Sequence, residues 1–308
     1  MLVLPPDLVL ARRAAVRRLN DGSRISTDEE AARYVDERGF CPLMHLSGCE
    51  LPSISEADTR TPWEGFDITD GAWRWKETLP QAGKCAYGRF LRQRGFFISW
   101  RLLPAFYRLH GRPATVSQTP AETDGARLDQ LGDGTVDRPD GGPATGAEDY
   151  AAGLLGRLEY LVLETVAERG PIDSRQLWRA VKPGFGGNRS RFEQALTTLQ
   201  STFRVMVAGG DLAGWSMHRW DLAQRQVPSG LLEHLPSAQE ARGLLLRQYV
   251  ANTVVCTVRE LAGFFKWEGR ETQGLAQRLL AAPEAEIEEA AVEGWKGTWL
   301  AALGPTRR

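Results

Sequence analysis

No apolar run in this sequence reaches the roughly 20 residues needed to cross a bilayer. The apolar opening, Met1–Leu10, is broken by Pro5, Pro6 and Asp7 and reads as neither an anchor nor a secretory leader. Cysteine is scarce: Cys41, Cys49, Cys85 and Cys256 stand at irregular spacing in 308 residues, which argues against a disulfide framework and for a reducing, cytoplasmic compartment. Surplus charge is missing as well. With 38 Lys plus Arg against 39 Asp plus Glu, no whole-molecule field attracts polyanions, so any nucleic-acid contact must come from local patches. There is no P-loop, dinucleotide glycine fingerprint, G-x-S-x-G elbow or H-E-x-x-H, so nucleotide hydrolysis and the common hydrolase classes have no anchor and no cofactor is expected.

What is present is ordinary globular material, 42% hydrophobic and 25% charged, enough for two or three modules. Residues 1–110 are rich in Trp, Phe and Arg and read as a mostly helical, winged-helix-like region. Spacing predicts a helix over Leu8–Leu19 with Arg12, Arg13, Arg17 and Arg18 outward, and a second helix to Arg38 that starts at a Thr27/Glu30 capping box. Residues 111–150 turn to Gly, Pro, Thr and Asp without periodicity, as in a linker. In 151–230, a helix ends at a Gly170 C-cap, a second starts at Asp173 or Ser174, and a third runs from Arg189 to about Phe203. A strand over Arg204–Ala208, a turn starting at Gly209–Asp211 and a returning strand over Trp215–Leu222 complete the unit. In 231–308 the order recurs: helices over Ala238–Val250, Thr257–Trp267 and Arg270–Ala281, then a hairpin over Ile287–Leu300. The expected fold is mainly α with small β-hairpins (α+β), with tandem winged helix-turn-helix units behind the first region.

Two groups of segments carry a family resemblance. Trp220-Asp221-Leu222 running on to Arg225 and Pro228, with Thr257–Ala262, resembles the AlkZ/YcaQ DNA glycosylases. Arg38–Leu43, Leu51-Pro52-Ser53, Ala72–Pro80 and Tyr87-Gly88-Arg89 resemble the AlkZ-related group near that family. The resemblance covers nearly everything except the linker and implies a bacterial-type protein that binds double-stranded DNA. In catalytic members a Gln-x-Gln or Gln-x-Asp pair holds the attacking water. Here the resemblance puts Pro42 and Met44 at those positions, and neither side chain can orient water. Fold is therefore implied more firmly than chemistry.

Candidate DNA contacts are Asn188, Arg189, Arg191 and Gln194 at the start of the third helix of 151–230, with Arg204 and Arg219 on its hairpin. Residues 151–226 hold ten basic against seven acidic residues, a local +3. Residues 236–302 hold seven against nine, and Glu284, Glu286, Glu288, Glu289 and Glu293 crowd the last hairpin, which predicts a scaffold or protein-partner surface there. Trp73, Trp75, Lys76 and Glu77 offer an aromatic platform beside an acid/base pair, suited to a flipped base. The weightier reading of this cluster, and of Tyr87 and Arg89, is packing, with Trp rings in the core and Lys76 and Glu77 outside. Glu77, Lys76 and Trp75, with Glu64 and Asp67, are nonetheless the residues left for excision chemistry. The spacing Cys41-x3-His45-x3-Cys49, with distant Cys85, lacks a paired C-x2-C element and contains Pro42, so no metal site is expected. Two functions stand: recognition or repair of alkylated DNA, and a non-catalytic transcriptional regulator or interaction module.

Overall fold

The computed structural model describes residues 1–20, 22–59, 71–111, 146–211 and 217–303. Among these, the chain is α+β, and no helix is long and apolar enough to cross a membrane. It opens with strand β1 (Leu2–Leu4) and helix α1 (Pro6–Val16). One connectivity then occurs three times. First come α2 (Asp28–Arg38), β2 (Phe40–Pro42), α3 (Ile54–Ala57), α4 (Ala72–Gln81), β3 (Ala86–Leu91) and β4 (Arg94–Ile98), with the sheet ordered β2-β4-β3. After α5 (Leu103–His110) and α6 (Gly146–Ala151) come α7 (Arg157–Arg169), β5 (Ile172–Asp173), α8 (Ser174–Val181), a 3-10 turn, α9 (Arg189–Ser201), β6 (Val205–Asp211) and β7 (Met217–Leu222), ordered β5-β7-β6. After α10 (Ala223–Gln226) come α11 (Ala238–Thr253), β8 (Val255–Cys256), α12 (Val258–Phe265), α13 (Gly269–Leu280), β9 (Ile287–Val292) and β10 (Trp299–Ala302), ordered β8-β10-β9. These are units one, two and three. β1 joins unit three by pairing parallel with β9, Leu2 opposite Ala290.

Local chemistry sets the helix starts. Thr27, Ser53, Ser237 and Thr257 each accept from the backbone three residues on while a glutamate at that position reaches back, and Asp173 accepts from Arg175 and Gln176. Gly170 is the C-cap of α7, as the sequence suggested, in an extended conformation (φ −67).

The first region carries a three-stranded sheet whose strands the mostly helical, winged-helix-like reading did not place. Along β4, Phe96 and Ile98 enter one core with Phe264, Phe265 and Leu300, while Phe97 enters another with Leu196, Val205 and Trp220. β2 divides likewise, with Phe40 in one core and Cys41 in the other. A strand buried on both faces shows no alternation of apolar and polar residues. The β3–β4 turn is equally silent, because its positive-φ positions are Arg92 (φ 50) and Gln93 (φ 56) rather than Gly or Asn. Unit one is thus a middle layer between units two and three.

α1 also differs from expectation. It is shorter, and Arg13 turns inward at 9% exposure, donating to the carbonyls of Thr253 (3.1 Å) and Val255 (3.2 Å). Arg17 pairs with Glu50 and Arg18 with Glu37, so these cations fasten α1 to the body of the protein.

Asn252 on α11 is 1% exposed and donates to the carbonyls of Arg38 (2.8 Å) and Phe40 (3.3 Å), joining units three and one. Asn252→Ala leaves both acceptors unsatisfied, and urea unfolding is expected to show a loss of about 1–3 kcal/mol. An unchanged midpoint would mean that this tie adds nothing.

Candidate functional site

Units one and two meet reciprocally: α4 lies against β6, α9 lies against β3, and the two strands are neighbours. Two glycines permit this approach. A Cβ on Gly210 of β6 would stand 2.1 Å from Oε2 of Glu77 on α4, and one on Gly88 of β3 would stand 3.2 Å from Oε1 of Gln200 on α9. Gln200 accepts from the Arg89 amide at 2.8 Å. Bare backbone on each hairpin lets a polar side chain of the other unit's helix reach across.

Glu77 is the centre of this seam. It is fully buried, it accepts from Nζ of Lys76 at 2.5 Å, and Nδ1 of His218 on β7 lies 3.0 Å from its carboxylate. Lys76 is 3% exposed and its ammonium sits 4.5 Å from the centroid of the Trp73 ring. His218 stacks obliquely near Tyr87 and meets Trp220 edge-on. Burial pushes the Glu77 carboxyl up, but the hydrogen bond and charge of His218 and the charge of Lys76 outweigh it and hold the group below the ordinary range. Burial lowers Lys76 against the opposing pull of Glu77, and burial with the Glu77 charge raises the Tyr87 phenol. The arrangement keeps a carboxylate ionised in a dry place. Because a carboxylate only accepts, Nδ1 of His218 donates to it, and Nε2 is left for a second partner. His218 is also the most exposed of the three, at 26%.

This corrects the packing reading, which put Lys76 and Glu77 outside: they face inward because α4 is covered by the hairpin of unit two. Trp75 is core, at 1% exposure, with Nε1 donating to Asp28 at 3.1 Å, and Trp73 is half-buried. Tyr87 is buried and Arg89 exposed. Sequence reasoning missed His218, a single histidine in a short strand that carries no motif. Glu64 and Asp67 lie outside the described residues.

The expected DNA contacts fall into two groups. Asn188 caps α9, accepting from the Arg191 amide at 3.1 Å, and Arg191 and Gln194 are exposed. Arg189 lies over the rings of Trp178 and Phe192 and pairs with Glu193 at 2.7 Å. Arg175, Arg179 and Lys182 are exposed on and just after α8. In contrast, Arg204 is paired with the buried Asp149, and its side chain is 10% exposed, so it serves the fold rather than a phosphate. Arg219 donates to Gln81 of α4 at 3.0 Å across the seam. Where a turn was expected to begin, Gly209–Asp211 continue β6 beyond a register shift at Val207/Gly209; residues 212–216 lie outside the description.

Pro42 is buried in β2 opposite Phe96, and Met44 is 41% exposed. Cys41 and Cys85 pack in one core, Cys49 points to the Tyr249 hydroxyl at 3.8 Å, and His45 turns to Glu56 at 3.4 Å. Burial raises all four thiols, Cys256 to about 12. Among the described residues no three His, Cys, Asp or Glu converge as metal ligands. Of the acidic residues near the last hairpin, Glu286 pairs with Arg247 at 3.3 Å, while Glu284, Glu289 and Glu293 are exposed.

Gly210→Ala is expected to destabilise by about 1–3 kcal/mol through overpacking. Combined with Glu77→Ala it should cost less than the sum of the two single changes, a coupling readable in a double-mutant cycle. Because Glu77 is held below its ordinary 4.5, its stabilising contribution is full above that pH and fades as pH falls through the lower folded value. Glu77→Gln should therefore flatten the acid limb of the stability–pH curve.

A family model described as AlkZ related matches residues 25–124, and one described as DNA glycosylase AlkZ-like matches residues 96–307. No protein of curated function matches the chain. Among solved structures, the DNA glycosylase AlkZ of Streptomyces sahachiroi superposes with a TM-score of 0.57 at 11% identity, over 97% of this chain and 70% of that one, a likeness of fold. Since the second model spans well over half of the sequence, the chain belongs to the DNA glycosylase AlkZ-like family.

Proposed function

We propose that this protein binds double-stranded DNA through unit two and recognises it without the family's glutamine-held water. The observation that carries this reading is the set of exposed cations on and between α8 and α9: Arg175, Arg179, Lys182, Arg189 and Arg191, with Arg189 of α9 lying over Trp178 of α8 and with Asp173 and Glu193 the acids in the same stretch. Recurrence of helix, strand, two helices and hairpin, with the first strand beside the last, supports winged helices, whose third helix commonly enters the major groove. Here the seam occupies the far half of α9 and leaves its first turns, with Arg191 and Gln194, outward. Pro42 and Met44 support recognition rather than excision, having no group to align water.

A second reading, hydrolysis at the seam, is favoured by one observation: the buried carboxylate of Glu77 orients His218, which could accept a proton from water. A single-turnover excision assay on duplexes carrying N7-methylguanine, N3-methyladenine or a crosslink, run beside binding over a salt series, separates the two. Binding without abasic product supports recognition. Product that disappears in Glu77→Gln supports the seam, whereas a palindromic footprint on undamaged DNA supports a regulator.

Arg189→Ala with Arg191→Ala should weaken binding and lower the log–log salt slope by about 2, near 0.9 per lost phosphate contact. Arg204→Ala should lower thermal stability and leave that slope unchanged.

A further inference from the structure

An open cleft of about 930 Å3 lies between α5, the loop at 234–237, α11 and α13, near the upper end of the size of small-ligand sites. Its walls bring together Arg101 from before α5, Arg247 from α11 and Arg278 from α13. Residues 236–302 are net acidic, yet this concavity gathers three arginines against one acid, Glu240. That carboxylate is engaged at the start of α11, accepting from the Ser237 amide at 2.8 Å. Arg101 is held by the carbonyl of Asp36 (3.0 Å) and by Gln248 (3.1 Å), and Arg247 by Glu286. Arg278 makes no hydrogen bond or ion pair among the described residues and is exposed.

The floor is apolar. Leu275 and Leu279 line it, and Leu244 stands 37% exposed, one of few large apolar side chains left open to solvent. A DNA phosphate would satisfy the arginines and leave these leucines wet. An anion with an apolar body answers both.

We infer that this cleft is a binding site for an amphipathic organic anion, an aryl or acyl group bearing a sulfonate, carboxylate or phosphate, distinct from the DNA-binding face. The body covers Leu244 and Leu279, and the head group is clamped by Arg278 and Arg247 through charge-assisted hydrogen bonds.

The probe is 1-anilinonaphthalene-8-sulfonate, titrated into the full chain with fluorescence as readout. One saturable site is expected, weakened about tenfold in Arg278→Glu and in Leu244→Asp. Both positions are exposed, and an unshifted melting temperature checks that the variants fold. Laurate should compete; a short DNA duplex should not. Unsaturable binding, equal affinity in both variants, or displacement by duplex overturns the inference, the last by assigning the cleft to DNA. None of these results bears on the α8–α9 face, whose salt series is a separate experiment.

Discussion

Burial of one small sheet on both faces organises this molecule. β2, β4 and β3 present Phe40, Phe96 and Ile98 to one side and Cys41, Tyr87 and Phe97 to the other, so where these residues lie the sheet is covered on both faces. Each fully buried phenylalanine contributes about 1.5–3 kcal/mol of transfer free energy, and each shares its core with side chains from residues beyond 155, Phe40 and Phe96 directly against Phe264. Among the described residues no buried cluster belongs to residues 1–111 alone. Units two and three are the two halves of a clamp around unit one.

That constraint decides what each third helix can do. α4 lies on unit two's hairpin, and its Lys76 and Glu77 become a buried ion pair completed by His218. Such a group is stable only because every charge finds a partner: removing one leaves an uncompensated charge in a dry interior. α9 makes the reciprocal contact through Gln200 near its far end and keeps Arg191 and Gln194 of its first turns exposed. The same seam that buries Lys76 and Glu77 leaves Arg191 and Gln194 exposed.

Unit three is tied down from three directions. Asn252 holds the end of α2, Arg13 holds the carbonyls of Thr253 and Val255, and β1 extends the sheet beyond β9. These ties come from residues more than 200 positions away, and they set α11 and α13 beside α5 so that a net-acidic segment contributes to an arginine-lined cleft. Net charge along the chain and charge at a site are different quantities, because tertiary structure sorts side chains by face.

The sequence by itself determined the local features: the capping box at Thr27, the Asp173 cap, the helical stripe of α9, the helix of α11, the two later hairpins, and the segments that mark the family. Each depends on residues within a turn or two, so its signal is written along the chain. Only the tertiary structure decided that Lys76 and Glu77 turn inward, that His218 joins them, that Arg204 and Arg13 are fold-holding rather than free cations, and where the strands of unit one lie. A strand covered on both faces loses the period-two pattern by which strands are recognised. Likewise, a side chain that is polar by type reads as exposed until something distant covers it, and here the cover lies about 140 residues downstream.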